Sequence, residues 1–99
     1  MYKSILLSVA KNDIREAALW YDQQKKGLGK KFTAIVRKKI TAIRKNPFAY
    51  SIRYGSVRTS LLDVFPFMIH FTIDNGETII VSAVLHTRRN PEIWAENRD

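Results

Sequence analysis

Residues 28–45 read LGKKFTAIVRKKITAIRK, and this stretch decides the fold. At about 100° per residue, Leu28, Phe32, Ile35, Val36, Ile40 and Ile43 share one side of a helix. Lys30, Lys31, Arg37, Lys38, Arg44 and Lys45 share the other. Only Lys39 lands inside the apolar arc, where its stem can lie along the core edge with the ammonium in water. Asn46-Pro47 stops the helix, because the residue before proline avoids the α region.

On the N-terminal side, Gly27 and Gly29 mark a turn, Gly27 being suited to the left-handed position that closes a preceding helix. That earlier helix starts after Ser8, read as its N-cap, and places Ala10, Ile14, Ala17, Ala18 and Tyr21 on a narrow arc. Three alanines among five positions let a second helix approach closely. Leu19 and Trp20 fall off this arc as an apolar pair, facing either the sheet or a partner. Residues 2–7, with Ile5, Leu6 and Leu7, read as a first strand.

The C-terminal half reads as strands over 57–62, 65–73 and 78–86. In the second of these, Phe65, Phe67, Ile69, Phe71 and Ile73 alternate with Pro66, Met68, His70 and Thr72. Asp74-Asn75-Gly76-Glu77 is a hairpin turn, since Asn-Gly fills two positive-φ positions cheaply. The last strand is apolar on both faces and belongs inside the sheet. The expected fold is one α+β domain over residues 1–99: a small antiparallel β-sheet with an N-terminal α-helical hairpin packed on one face, in the order β-α-α-β-β-β.

Charge is unevenly placed. Residues 23–62 hold eleven Lys or Arg and no acid, while the flanks hold six basic and nine acidic residues, so +11 in the middle and −3 outside make +8. A solvated face needs no such concentration, and the block points to a polyanionic partner, nucleic acid or an acidic protein segment. Absence of cysteine excludes disulfides, thiol nucleophiles and thiolate metal sites. No apolar run approaches the ~20 residues that span a bilayer, and the N-terminus lacks the features of a signal peptide. A cytoplasmic protein with no membrane contact is expected.

Little in the sequence carries catalysis. Asp13 and Glu16 on a helix and Asp74 and Glu77 beside a turn read as solvent-facing acids. His70 and His86 have no ligand-spaced neighbours, so no metal or other cofactor is expected, and Gly27-Leu28-Gly29 is no phosphate loop. Ser56 and Ser60 lack an evident base. One cluster remains: pairing Ile73 with Thr78 puts His86 opposite Phe65, with Arg88 and Arg89 just beyond and Arg58 on the preceding strand. Histidine among fixed cations could act on a phosphodiester, or simply terminate a strand while the arginines stay solvated.

The runs LSVAKNDIREAALWYDQQKKGLGKKF, RKNPFAY, VRTSLLDVFPFMIHF and IIVSAVLHTRRNPEIW, in this order, resemble the RelE/ParE superfamily of toxins from bacterial type II toxin–antitoxin modules. The anchors include Tyr21, Leu28-Gly29, Phe32, Asn46-Pro47, Arg58, Phe65-Pro66, His86 and Arg89-Asn90-Pro91. The resemblance implies a sheet carrying a helical hairpin and a cognate acidic antitoxin, for which Trp20, Lys30, Lys31, Arg37 and Lys38 are the candidate contacts. It allows a heterotetramer with that antitoxin. One branch is a ribosome-dependent messenger RNA endoribonuclease, for which Arg58, His86, Arg88 and Arg89 are the candidate catalytic residues. Where that branch has a catalytic arginine this chain has Phe67, and no tyrosine follows Tyr54. The ParE-like, plasmid-stabilisation branch, which binds DNA gyrase, is therefore expected, with Arg88, Arg89 and Trp94 as target contacts. A third alternative is an inactive basic interaction domain.

Overall fold

The computed structural model describes residues 1–88. The elements are β1 (Lys3–Leu6), α1 (Ser8–Gln24), α2 (Leu28–Lys45), a 3₁₀ turn (Pro47–Ala49), β2 (Ile52–Tyr54), β3 (Val57–Leu61), β4 (Phe67–Asp74) and β5 (Thr78–His86). They form a five-stranded sheet in the order β1-β5-β4-β3-β2 under a helical hairpin. The α+β arrangement is the expected one. Three of its details are not.

A short edge strand, β2, precedes the expected three. Three residues are too few to show alternation, and its pairing with β3 is irregular between Ile52 and Tyr54. The first strand pairs parallel to β5, so the sheet is antiparallel except at that edge. Ser8 is not the cap of α1. Leu7 holds that position in extended conformation with no side-chain cap, and its carbonyl accepts from the Lys11 N–H at 3.0 Å.

The helices meet closely. Gly27 takes φ 91° between them, and a Cβ on Gly29 would stand 2.5 Å from the Ala18 carbonyl oxygen. Only hydrogen fits there. Asp22 Oδ1 accepts from the N–H groups of Gly27 at 2.9 Å and Gly29 at 3.2 Å, occupying donors that the start of α2 leaves unpaired. The hairpin buries Ala10, Ala17, Phe32, Val36, Ile40 and Ile43 against Ile69, Phe71, Ile79, Val81 and Val84 of the sheet. Ala18 and Tyr21 pack half-buried at its edge, as the shared arcs require. Lys39 lies half-buried with Nζ 3.9 Å from Asp63 Oδ2.

An aromatic cluster closes one end of the core. Tyr21 meets Phe32 at 5.5 Å, Phe65 at 4.6 Å and Phe67 at 6.0 Å between ring centroids. Burial pushes the Tyr21 phenol above its ordinary value of 10.0, so the ring is neutral at physiological pH. Phe65 precedes β4 instead of starting it: its N–H bonds to Asp63 O at 2.8 Å around Val64, which sits at φ 72°. A positive φ strains a β-branched residue by about 1–3 kcal/mol. Burying a phenylalanine contributes about 1.5–3 kcal/mol, and each aromatic pair adds about 0.5–1.5, so Phe65 outweighs Val64.

Phe32→Ala should lower stability by about 3–5 kcal/mol, most of what a domain of this size has, read as a fall in thermal midpoint. Gly29→Ala, one methyl added at a buried position in the first turn of α2, should also destabilise, whereas helix propensity alone predicts a gain of about 1 kcal/mol. The direction of the shift decides whether the close helix approach is real.

Candidate functional site

The five-cation flank of the hairpin is a groove. Lys11 and Arg15 of α1 and Lys30, Arg37 and Arg44 of α2 line two hollows of about 380 and 700 Å³ that share Lys11, Ile14, Thr33 and Arg37. The floor is apolar, with Leu6, Ile14, Ala18, Val36 and Ile40. Among the described residues the one acid on the lining is Asp22, already engaged by the Gly27 and Gly29 amides. Amphipathic periodicity explains the groove: residues that flank the buried stripe of each helix meet where the two helices diverge.

Sequence reading pooled five antitoxin contacts that the fold distributes over separate surfaces. Lys30 and Arg37 line this groove, and Lys38 lies beside Lys39, Asp63 and Val64. Lys31 is exposed on α2. Trp20 lies on the other flank of α1, 56% exposed, whereas its neighbour Leu19, 59% exposed, lines the basic groove.

That other flank is a smaller hollow of about 320 Å³, lined by Asp13, Glu16, Trp20, Phe67, Val84 and His86 among others. It exists because β1 pairs only with Thr78 to Val81, leaving the rest of that edge of β5 to α1. Asp13 Oδ2 accepts from the Val84 N–H at 3.0 Å. The sequence reading of Asp13 as a solvent-facing acid is thus corrected. A contact across 71 residues leaves no local signal.

His86 pairs with Phe67, not Phe65, and their rings lie 5.3 Å apart. Two features shift the register. The turn pairs Asp74 with Thr78, making Asn75, Gly76 and Glu77 a three-residue loop, and β5 then carries one extra residue where the pairing slips at His70/Phe71. Asn75 and Gly76 do take positive φ, 51° and 69°. His86 Nδ1 accepts from the Arg88 N–H at 3.1 Å. Arg89 and Trp94, the remaining candidates there, lie outside the described residues.

Arg58 is elsewhere. Its Nη1 donates to Tyr50 O at 2.6 Å and its Cζ lies 5.1 Å above the Phe48 ring. Arg58 pairs with Phe71, and His86 with Phe67, so four residues along β4 and two strand spacings separate them, about 16 Å. The proposed His86–Arg58 constellation is not assembled. His70, expected to be partly buried, is only 2% exposed, and its Nδ1 lies 3.0 Å from the Tyr54 hydroxyl. Among the described residues, no three His, Asp or Glu side chains gather as metal ligands, and no helix is long and apolar enough to cross a membrane.

With this geometry in place, comparison with known proteins gives two findings. The fold matches a solved structure described as the chromosomal ParDE TA system from P. aeruginosa, with a TM-score of 0.77 over 87% of this chain and 96% of that one. At 16% identity this likeness concerns the fold alone. The family described as ParE toxin of type II toxin-antitoxin system, parDE, matches residues 5–91. The chain therefore belongs to the ParE toxin family. No curated protein sequence matches it.

Asp13→Ala should strand the Val84 N–H beneath α1 and cost about 1–3 kcal/mol. Hydrogen exchange at the Val84 amide should accelerate more than at Ile69 on the neighbouring strand. Equal acceleration at both would mean that the carboxylate holds the whole fold and not this edge.

Proposed function

We propose that the chain is a toxin that inhibits DNA gyrase by binding it and is neutralised by an acidic antitoxin. The observation that carries the choice of mechanism is the separation of Arg58 from His86. Cleaving RNA by in-line attack needs a proton acceptor and phosphate-stabilising cations within a few ångströms of one phosphate, and losing that convergence costs orders of magnitude in rate. Here the arginine is held against a backbone carbonyl and an aromatic ring on a distant strand. Binding a protein target needs only a complementary surface. Arg88 at the end of β5, with Arg89 and Trp94 beyond it, is the proposed contact, since Arg and Trp dominate energetic centres of interfaces.

The antitoxin's seat is the groove on the basic flank of the hairpin. Its walls carry five cations and its floor is aliphatic, which suits an acidic amphipathic segment. Along the two helices, whose backbone groups are spent internally, an occupant has to satisfy its own backbone, as an α-helix does; only beside Ser4 and Leu6, at the free edge of β1, could it pair as a strand. This moves the contact set from Lys31, Lys38 and Trp20 toward Lys11, Arg15 and Arg44.

Purified toxin, freed of antitoxin, should block gyrase-dependent supercoiling or trap cleaved DNA, and should leave ribosome-bound transcripts intact. Transcript cleavage abolished by Arg58→Ala or His86→Ala would overturn the binding mechanism in favour of a ribonuclease.

For the antitoxin, stopped-flow association should slow steeply between about 0.1 and 1 M salt, where the screening length falls from about 10 to 3 Å. Arg37→Glu should reduce the low-salt rate roughly tenfold, whereas Lys31→Glu should change it far less. Equal effects at both positions would place the antitoxin outside the groove.

A further inference from the structure

The basic block of residues 23–62 is larger than the antitoxin groove uses. Its far end, from the last turn of α2 at Lys45 to β3, holds an exposed aromatic ring under Arg58. Phe48 is 57% exposed although it is not loose. Tyr2 meets it edge-on at 6.4 Å, and the Arg58 guanidinium lies over it at 5.1 Å. Arg58 is itself pinned by the 2.6 Å bond to Tyr50 O. Arg44, bonded through Nε to Tyr2 O at 2.7 Å, fixes the other side. Ile52 pairs with Arg58 across β2 and β3, so it shares that side of the sheet, and it is 55% exposed.

An exposed phenylalanine alone means nothing. A rigid one, held by a cation in a stretch of chain with no acid between Asp22 and Asp63, has the composition of a platform for an unpaired base. We propose that Phe48, with Arg58 and Ile52, is a stacking site for single-stranded DNA, the bases lying on the ring and the phosphates on Arg58 and on Lys45 at the end of α2. An acidic peptide would satisfy the cations but would leave the ring in water. A duplex would present phosphates and no base face. Residues 23–62, which supply the ring and its cations, hold no carboxylate to repel the phosphates.

The test is fluorescence anisotropy with a labelled oligothymidine and the purified protein, at roughly 50 to 200 mM salt. Phe48→Leu, which keeps an apolar side chain without the ring, should weaken binding roughly fivefold to a hundredfold, and Phe48→Tyr should restore it. Lys45→Gln should reduce the slope of log affinity against log salt by about 0.7 while leaving the dependence on the ring. Thermal melts establish that the variants fold. Binding unchanged by Phe48→Leu, or no binding at the lowest salt, overturns the proposal. Polyglutamate of matched charge competing as well as DNA assigns the patch to an acidic protein, and matched RNA binding tenfold tighter assigns it to RNA; either result also overturns it. No gyrase is present, so the outcome is independent of the toxin's inhibitory mechanism.

Discussion

The structure depends on how closely α1 and α2 approach at Gly29. The Ala18 carbonyl occupies the space that a side chain there would need, and Asp22 accepts both neighbouring amides. This short contact fixes the angle and offset of the hairpin. The offset in turn decides which side chains of α2 reach the sheet and which are left on the flank. Phe32 enters the aromatic cluster with Tyr21, Phe65 and Phe67, while Lys30 and Arg37 are left on the groove rim. A domain of this size has only about 5–15 kcal/mol of stability, so one misplaced helix would cost both core and binding surface.

The charge of α1 is divided by the same geometry. Lys11 and Arg15 face the basic groove, and Asp13 and Glu16 face the hollow beside His86. One helix thus borders two surfaces of opposite character. The acidic flank is partly structural, since Asp13 takes the place that a longer β1 would have held beside Val84. On the basic flank Arg44 is likewise used internally, its Nε donating to Tyr2 O at 2.7 Å, while Lys11, Arg15, Lys30 and Arg37 line the groove.

The layout of the sheet limits which charged side chains can converge. A strand pair places residues on one face, but distance along the strand still matters. Arg58 and His86 share the helix-facing side of the sheet and are nonetheless about 16 Å apart, because their partners on β4 are four residues apart. The strain at Val64 lies just before the same strand: it lets Phe65 turn inward ahead of β4, whose Phe67 pairs with His86.

Local and periodic features were legible from the chain alone. The limits of α2 and of the last strand, the left-handed Gly27, the positive-φ Asn75-Gly76 turn and the buried stripe of Phe32, Val36, Ile40 and Ile43 all follow from spacing, proline geometry and glycine freedom. The charge block was equally plain. The family was legible because many weak anchors recurred in order. Tertiary structure alone decided the rest: the brief β2, the parallel pairing of β1, the two one-residue shifts that moved His86 from Phe65 to Phe67, the Asp13–Val84 bond and the division of the lysines among surfaces. Each depends on contacts between residues far apart in the chain. Periodicity states which side of an element is apolar, but not which element lies opposite or at what offset.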